Sequence, residues 1–170
     1  MAKKYLKPVL GGNIVDASCG SGLFSRLSAK SGLFLQVVAL DYSGNMLRQC
    51  YEKRKTSPKT DISRLPFKSS SVDALHAGAA LHCWPSPSTA VAEISRVLRP
   101  GGVFVATTYI LDGPFIPFLR TFRQNVMGIA GSHNFLSERE LEDLCRTCGL
   151  VGFTCIRNSR FVMISALKRS

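Results

Sequence analysis

The sequence predicts an α/β fold in which a doubly wound, mostly parallel sheet finishes in an antiparallel hairpin. Three observations carry this. Apolar runs of strand length alternate with segments of helical period. The first two runs each end on an acidic residue followed by a turn. The last two runs are joined by only four polar residues, Arg157 to Arg160. Alternation of the first kind puts parallel strands beneath helices on both faces. Two runs in close succession make a hairpin. The chain has 170 residues, 45% hydrophobic and 19% charged, which fits one globular domain over 1–170 and excludes a disordered polymer.

The elements follow in order. Leu10 to Asp16 is the first strand, closed by the glycine-bearing turn from Ser18 to Gly22. Leu23 to Lys30 reads as a helix with Leu23, Phe24 and Leu27 on its apolar face. Phe34 to Asp41 is the second strand, and Ser43 is the expected N-cap of a helix carrying Met46, Leu47 and Cys50. Residues 53–60 are polar, contain Pro58 and read as loop; a third apolar run spans Val72 to Ala80. Val91, Ile94, Val97 and Leu98 place a helix over Ser88–Leu98, which Arg99-Pro-Gly-Gly102 ends in a turn before the strand Val103–Tyr109. Residues 114–130 read as partly helical, broken at Pro117 and Gly128. Ser137 and Glu140 form the signature of a capping box, and Gly149 closes the helix they open. Val151–Ile156 and Phe161–Leu167 are the hairpin.

Several classes fall away on composition. No apolar run reaches the length of a membrane span, and the first residues lack a signal-peptide core, so a soluble protein is expected. The six cysteines contain one close pair, Cys145 and Cys148, without a second pair to complete a zinc site; scattered, reduced and mostly buried thiols are expected. Lys and Arg number 22 against 11 Asp and Glu, a net charge of +11, but they are spread along the chain as a solvated surface would be.

The glycine turn is the first sign of chemistry. Gly20 and Gly22 let a ligand approach the backbone ahead of a helix N-terminus. A dinucleotide fingerprint needs a further Gly or Ala, whereas position 25 is Ser, and no Walker lysine follows. Asp41, at the end of strand two, is placed for ribose hydroxyls. Asp61 with Ile62 offers a polar and an apolar contact to a purine. Together these residues describe a site for a nucleoside without a phosphate chain, although each acid alone also reads as an ordinary loop cap.

The pattern resembles the class I S-adenosylmethionine-dependent methyltransferases, in particular the small-molecule branch called type 11. Asp16-Ala-Ser-Cys-Gly-Ser-Gly22 matches the family's strand acid and glycine motif, with Ser18 in place of the first glycine. Asp41-Tyr42, Met46, Asp61-Ile62, Ala80-Leu-His-Cys-Trp84 and the run Ala92 to Gly102 match later motifs in order. Over Asp61–Phe104 the chain is similar to plant, chloroplast-directed methyltransferases of uncertain substrate. The resemblance implies a Rossmann-like sheet, S-adenosyl-L-methionine as cofactor, and direct in-line displacement of its methyl by a small-molecule acceptor. It implies cofactor contacts at Asp16, Ser18, Gly20, Gly22, Asp41, Tyr42, Met46, Asp61 and Ile62, with no metal. His82 is the candidate general base, and Trp84 and His133 are candidates for the acceptor side. It also implies a plastid location, although no transit peptide precedes the fold in this sequence; the cytoplasm is the alternative. Nucleic acid is not the expected acceptor, because no Asn/Asp-Pro-Pro-Tyr motif or RNA-binding appendage is present.

Two departures from the family matter. Only 19 residues separate Asp41 from Asp61, so the third strand is expected to be shortened or missing, and few residues precede the first strand to cover the cofactor. Strand two then becomes the sheet edge, from which weak cofactor affinity and self-association are expected. A non-catalytic or truncated Rossmann-like binding protein is the alternative reading.

Overall fold

The fold is given by a computed structural model that describes residues 2–51, 60–110 and 134–170. The expected helix over 114–130, His133, and the loop residues 53–59 lie outside the described residues.

In chain order the elements are α1 (Ala2–Tyr5), β1 (Asn13–Ala17), α2 (Leu23–Lys30), β2 (Gln36–Leu40), α3 (Gly44–Cys50), β3 (Val72–Ala77), α4 (Pro87–Val97), β4 (Leu98–Tyr109), α5 (Glu138–Thr147), β5 (Leu150–Asn158) and β6 (Phe161–Lys168). The strands form one six-stranded sheet in the order β2-β1-β3-β4-β6-β5. β2, β1, β3 and β4 are parallel, and β6 and β5 run antiparallel at the far side. The doubly wound sheet with a terminal hairpin is therefore as expected. Among the described residues no strand lies between α3 and β3, and β2 is the outermost strand on its side.

Alternate residues of each strand serve two apolar layers, as strand geometry requires. Val15, Leu75, Phe104 and Ile164 face α4 and α5 in one layer. Ile14, Ala74, Val103 and Val105 face Leu6 and Val9 of the N-terminal segment in the other. Val91, Ile94 and Val97 of α4 are fully buried, each stabilising the fold by about 1.5–3 kcal/mol. Local signals place the helix ends. Ser43, Ser86 and Ser137 each accept a backbone N–H of the first turn, and Ser137 and Glu140 complete a reciprocal capping box.

Four expectations need correction. The first strand starts at Asn13, not Leu10, because Pro8 sits in a short 3-10 turn and Gly11 takes a left-handed conformation (φ 82°). Arg99–Gly102 is not a turn before a strand. It is a bulge inside β4, where the pairing with β3 shifts register between Leu98 and Val103 and Gly101 has φ 74°. Most consequentially, α2 does not bury its leucines. Leu23 and Leu27 are 63% and 60% exposed, while Ser25 and Ser28 face inward. The reason is polar: the end of β1 presents Asp16 beneath this helix, and Ser25 turns in to meet it. The thiols are also less buried than expected, with Cys145 buried, Cys83 exposed and Cys19, Cys50, Cys148 and Cys155 between.

Candidate active site

The carboxyl ends of β1, β2 and β3 open into a cleft of about 710 Å³, within the range of small-molecule sites. Its floor is the turn after β1. Ser18, Gly20 and Gly22 all have positive φ (61°, 55° and 78°), which explains why glycine suits this turn. Ser18 holds its strained conformation with help from Trp84, whose indole Nε1 donates to Ser18 Oγ at 3.2 Å. The backbone N–H of Cys19 donates to Leu40 O at 2.9 Å, tying the turn to β2.

Asp41 braces the same turn from the end of β2. Its Oδ2 accepts the Gly20 N–H at 2.9 Å, and its Oδ1 accepts the Ser43 N–H at 2.8 Å. Both bonds aim the carboxylate along the cleft wall, where Tyr42 and Met46 continue the lining. Asp61 and Ile62 form the rim. Asp61 Oδ1 accepts both the N–H and the hydroxyl of Ser63 at 2.8 Å, and these bonds, the backbone one foremost, hold its carboxyl below the ordinary range. Among the described residues no strand leads into Asp61; Thr60 beside it is tied to β2 by its N–H donating to Asp41 O at 3.1 Å.

The opposite wall is Gly78, Ala79, Ala80, Cys83 and Trp84. Ala79 has φ 49°, and its N–H donates to Thr107 Oγ1 at 2.8 Å. Partial desolvation by its neighbours pushes the Cys83 thiol up, which disfavours the thiolate that a nucleophile needs.

Of the residues expected in the site, Ser18, Gly20, Asp41, Tyr42, Met46, Asp61 and Ile62 line this one cleft. Three do not. Asp16 is 1% exposed, facing away from the cleft beneath α2, with Oδ1 2.8 Å from His76 Nδ1 and Oδ2 accepting from Ser25 Oγ. Gly22 is the N-cap of α2 and packs on Cys50. His82 lies beside the cleft, with Nδ1 3.1 Å from Thr108 Oγ1 and its ring stacked on Phe135 and edge-on to Tyr109. The sequence reading missed His76. The available signal was a single polar residue in each of the apolar runs Ile14–Ala17 and Ala74–Ala77, since such residues in buried strands need partners.

Comparison with known proteins agrees with this geometry. A family model described as a methyltransferase domain matches residues 15–106. The chain is 68% identical, over all of its length, to an uncharacterized chloroplastic methyltransferase of Arabidopsis thaliana, and 49% identical over 99% of its length to a second. It covers 52% and 50% of those relatives, so the chain spans about half the length of the curated proteins it matches. Among solved structures, an S-adenosylmethionine-dependent methyltransferase of Methanosarcina mazei superposes with a TM-score of 0.75 at 21% identity, covering 99% of this chain and 96% of that one. With the matched region running from the glycine turn through β4, the chain belongs to the methyltransferase domain family.

Proposed function

We propose that this domain binds S-adenosylmethionine in the cleft and transfers its methyl group to a small-molecule acceptor. The observation that carries the reading is the pairing of Gly20 and Asp41. A Cβ placed on Gly20 meets nothing within 4 Å, so the backbone there is open to the cleft, and the carboxylate that braces it lines the same space. A nucleoside with an amino acid tail fits this donor set. Asp41 is placed for ribose hydroxyls, Asp61 and Ile62 for the adenine, and Ser18 and Gly20 for the tail. When bound, the cofactor supplies an electrophilic methyl on a sulfonium centre.

The chain's own part is then alignment and exclusion of water, because the leaving thioether is neutral and needs no acid. Trp84 is 4% exposed and closes the wall next to the turn. We assign His82 to the acceptor side: it neighbours Cys83 in the wall, and the contacts to Thr108, Tyr109 and Phe135 fix its ring where it takes a proton from an acceptor. The names of the two Arabidopsis relatives support a chloroplast location for the longer protein. Titration calorimetry with S-adenosylmethionine tests the reading. Saturable one-site binding is expected, and absence of heat in a folded sample refutes it.

We further propose that copies of the chain associate along β2. Leu35, immediately before it, is 82% exposed, and Leu23 and Leu27 of the neighbouring α2 add apolar surface. Sedimentation velocity over a concentration series is expected to show a dimer that Leu35→Lys dissociates; a monomer at every concentration refutes the association.

A further inference from the structure

We propose that His76 is a positioning residue for the cofactor turn, acting through the Asp16 carboxylate. The proposal rests on the reading of the cleft as the S-adenosylmethionine site. Asp16 and His76 face each other in register across the parallel pair β1–β3, and both point into the apolar layer shared with Ile14, Ala74 and Val103. Purely apolar packing would fill these positions with aliphatic residues, as at Ile14, Ala74 and Val103. Instead the layer holds a buried carboxylate. Among the described residues, two side chains bond it: Ser25 and His76.

The two partners have different jobs. Asp16 and Ser25 stand on the two limbs of the turn, so their bond closes the loop that contains Ser18, Gly20 and Gly22. His76 ties that closed loop to the sheet. Its Nδ1 lies 2.8 Å from Asp16 Oδ1, and its ring stacks on Phe24 of the same helix turn, with centroids 3.6 Å apart and an interplanar angle of 15°. The imidazole also lies beside the strand end that leads into the facing wall, since a Cβ added at Gly78 would come to 3.2 Å from His76 Cε1. His76 therefore holds the turn side of the cleft through Asp16 and Phe24 without lining the cleft itself. Removing its N–H leaves a buried carboxylate one bond short, and the least costly relief is for Asp16 to swing toward water, which moves the turn.

The test uses His76→Phe, which keeps the ring stack and volume and removes the hydrogen bond, and His76→Asn, whose side-chain amide replaces the Nδ1 donor. In the cofactor-free protein, exchange of the Cys19 and Gly20 amides is expected to speed up at least roughly tenfold in His76→Phe relative to amides of β4, because their acceptors, Leu40 O and Asp41 Oδ2, hold the turn. The Kd for S-adenosylmethionine is expected to rise about tenfold, the size of one hydrogen bond to a charged group. His76→Asn is expected to restore both toward wild type. A folded His76→Phe with wild-type exchange and Kd overturns the proposal, as does a His76→Asn that rescues neither. If His76→Phe does not fold, His76→Leu replaces it; if neither folds, His76 is a stability element and the proposal falls. The exchange measurement needs no cofactor. A wild-type protein that binds no S-adenosylmethionine but shows the exchange effect would refute the cofactor reading and leave the role of His76 in the turn intact.

Discussion

Asp41→Ala is expected to raise the Kd for S-adenosylmethionine by roughly a hundredfold or more while the fold survives. Two losses add. The carboxylate proposed to bind the ribose hydroxyls disappears, and hydrogen bonds to a charged group are each worth about 1.5–3 kcal/mol. The Gly20 and Ser43 N–H groups also lose the acceptor that fixes the turn against β2. Neither loss threatens the core, because Asp41 is only half-buried at the mouth of the cleft and water can replace it on both N–H groups. The Cys19 N–H to Leu40 O bond and the Trp84 bond to Ser18 remain to hold the backbone. Calorimetry for affinity and thermal unfolding for stability separate the two effects. Unchanged affinity in a folded variant removes Asp41 from the site. Asp41→Asn is informative beside it: one oxygen persists for one backbone N–H, so an intermediate loss is expected.

The parts of this fold that were legible in the sequence are those fixed by neighbours in the chain. Ser43, Ser137 with Glu140 and Gly149 act within a few residues, and each appears where its residue type predicts; the hairpin is also found, but β5 extends through Asn158, so only Ser159 and Arg160 connect its strands and not Arg157–Arg160. The cleft was legible for a similar reason. Strand ends and glycines mark it directly, and Asp41 and Gly20 meet because β1 and β2 are adjacent and parallel. What escaped depends on partners far apart in sequence. The face of α2 was read from Leu23 and Leu27, but its orientation is set by Asp16, which in turn is committed to His76, 60 residues away. Asp16 was assigned from its motif to hold the turn and reach the cofactor through water; what the motif did not show is that its carboxylate bonds Ser25 and His76 beneath the turn. The bulge at Arg99–Gly102 escaped because Pro-Gly-Gly is a turn signal in isolation; pairing of Leu98 with Val72 on its far side makes it part of a strand.

The two glycines of the turn provide the second large effect, and they are expected to respond differently. Gly20→Val is expected to abolish cofactor binding with a modest cost in stability. Its φ of 55° disfavours a β-branched residue by about 1–2 kcal/mol, which lowers Tm by roughly 2–8 °C in a chain of this size. Chain neighbours aside, no atom of the described residues lies within 4 Å of the new Cβ, so the isopropyl group has room, and that room is the cleft the cofactor needs. Gly22→Ala has the opposite character. Its φ is 78°, and the added methyl runs into the Cys50 thiol at the end of α3, so something in the packing must shift. Gly22 does not line the cleft, and the cost of its methyl falls on the junction of α2 and α3. The expected pattern is therefore a modest fall in Tm without binding for Gly20→Val, and a larger fall in Tm with binding retained at low temperature for Gly22→Ala. Measuring Kd at 10 °C and Tm for both variants decides it. A Gly20→Val protein that binds with wild-type affinity would show that the turn carries no ligand, whereas equal losses of binding in both variants would mean that the turn moves as one unit and that cofactor space at Gly20 is not what the glycine protects.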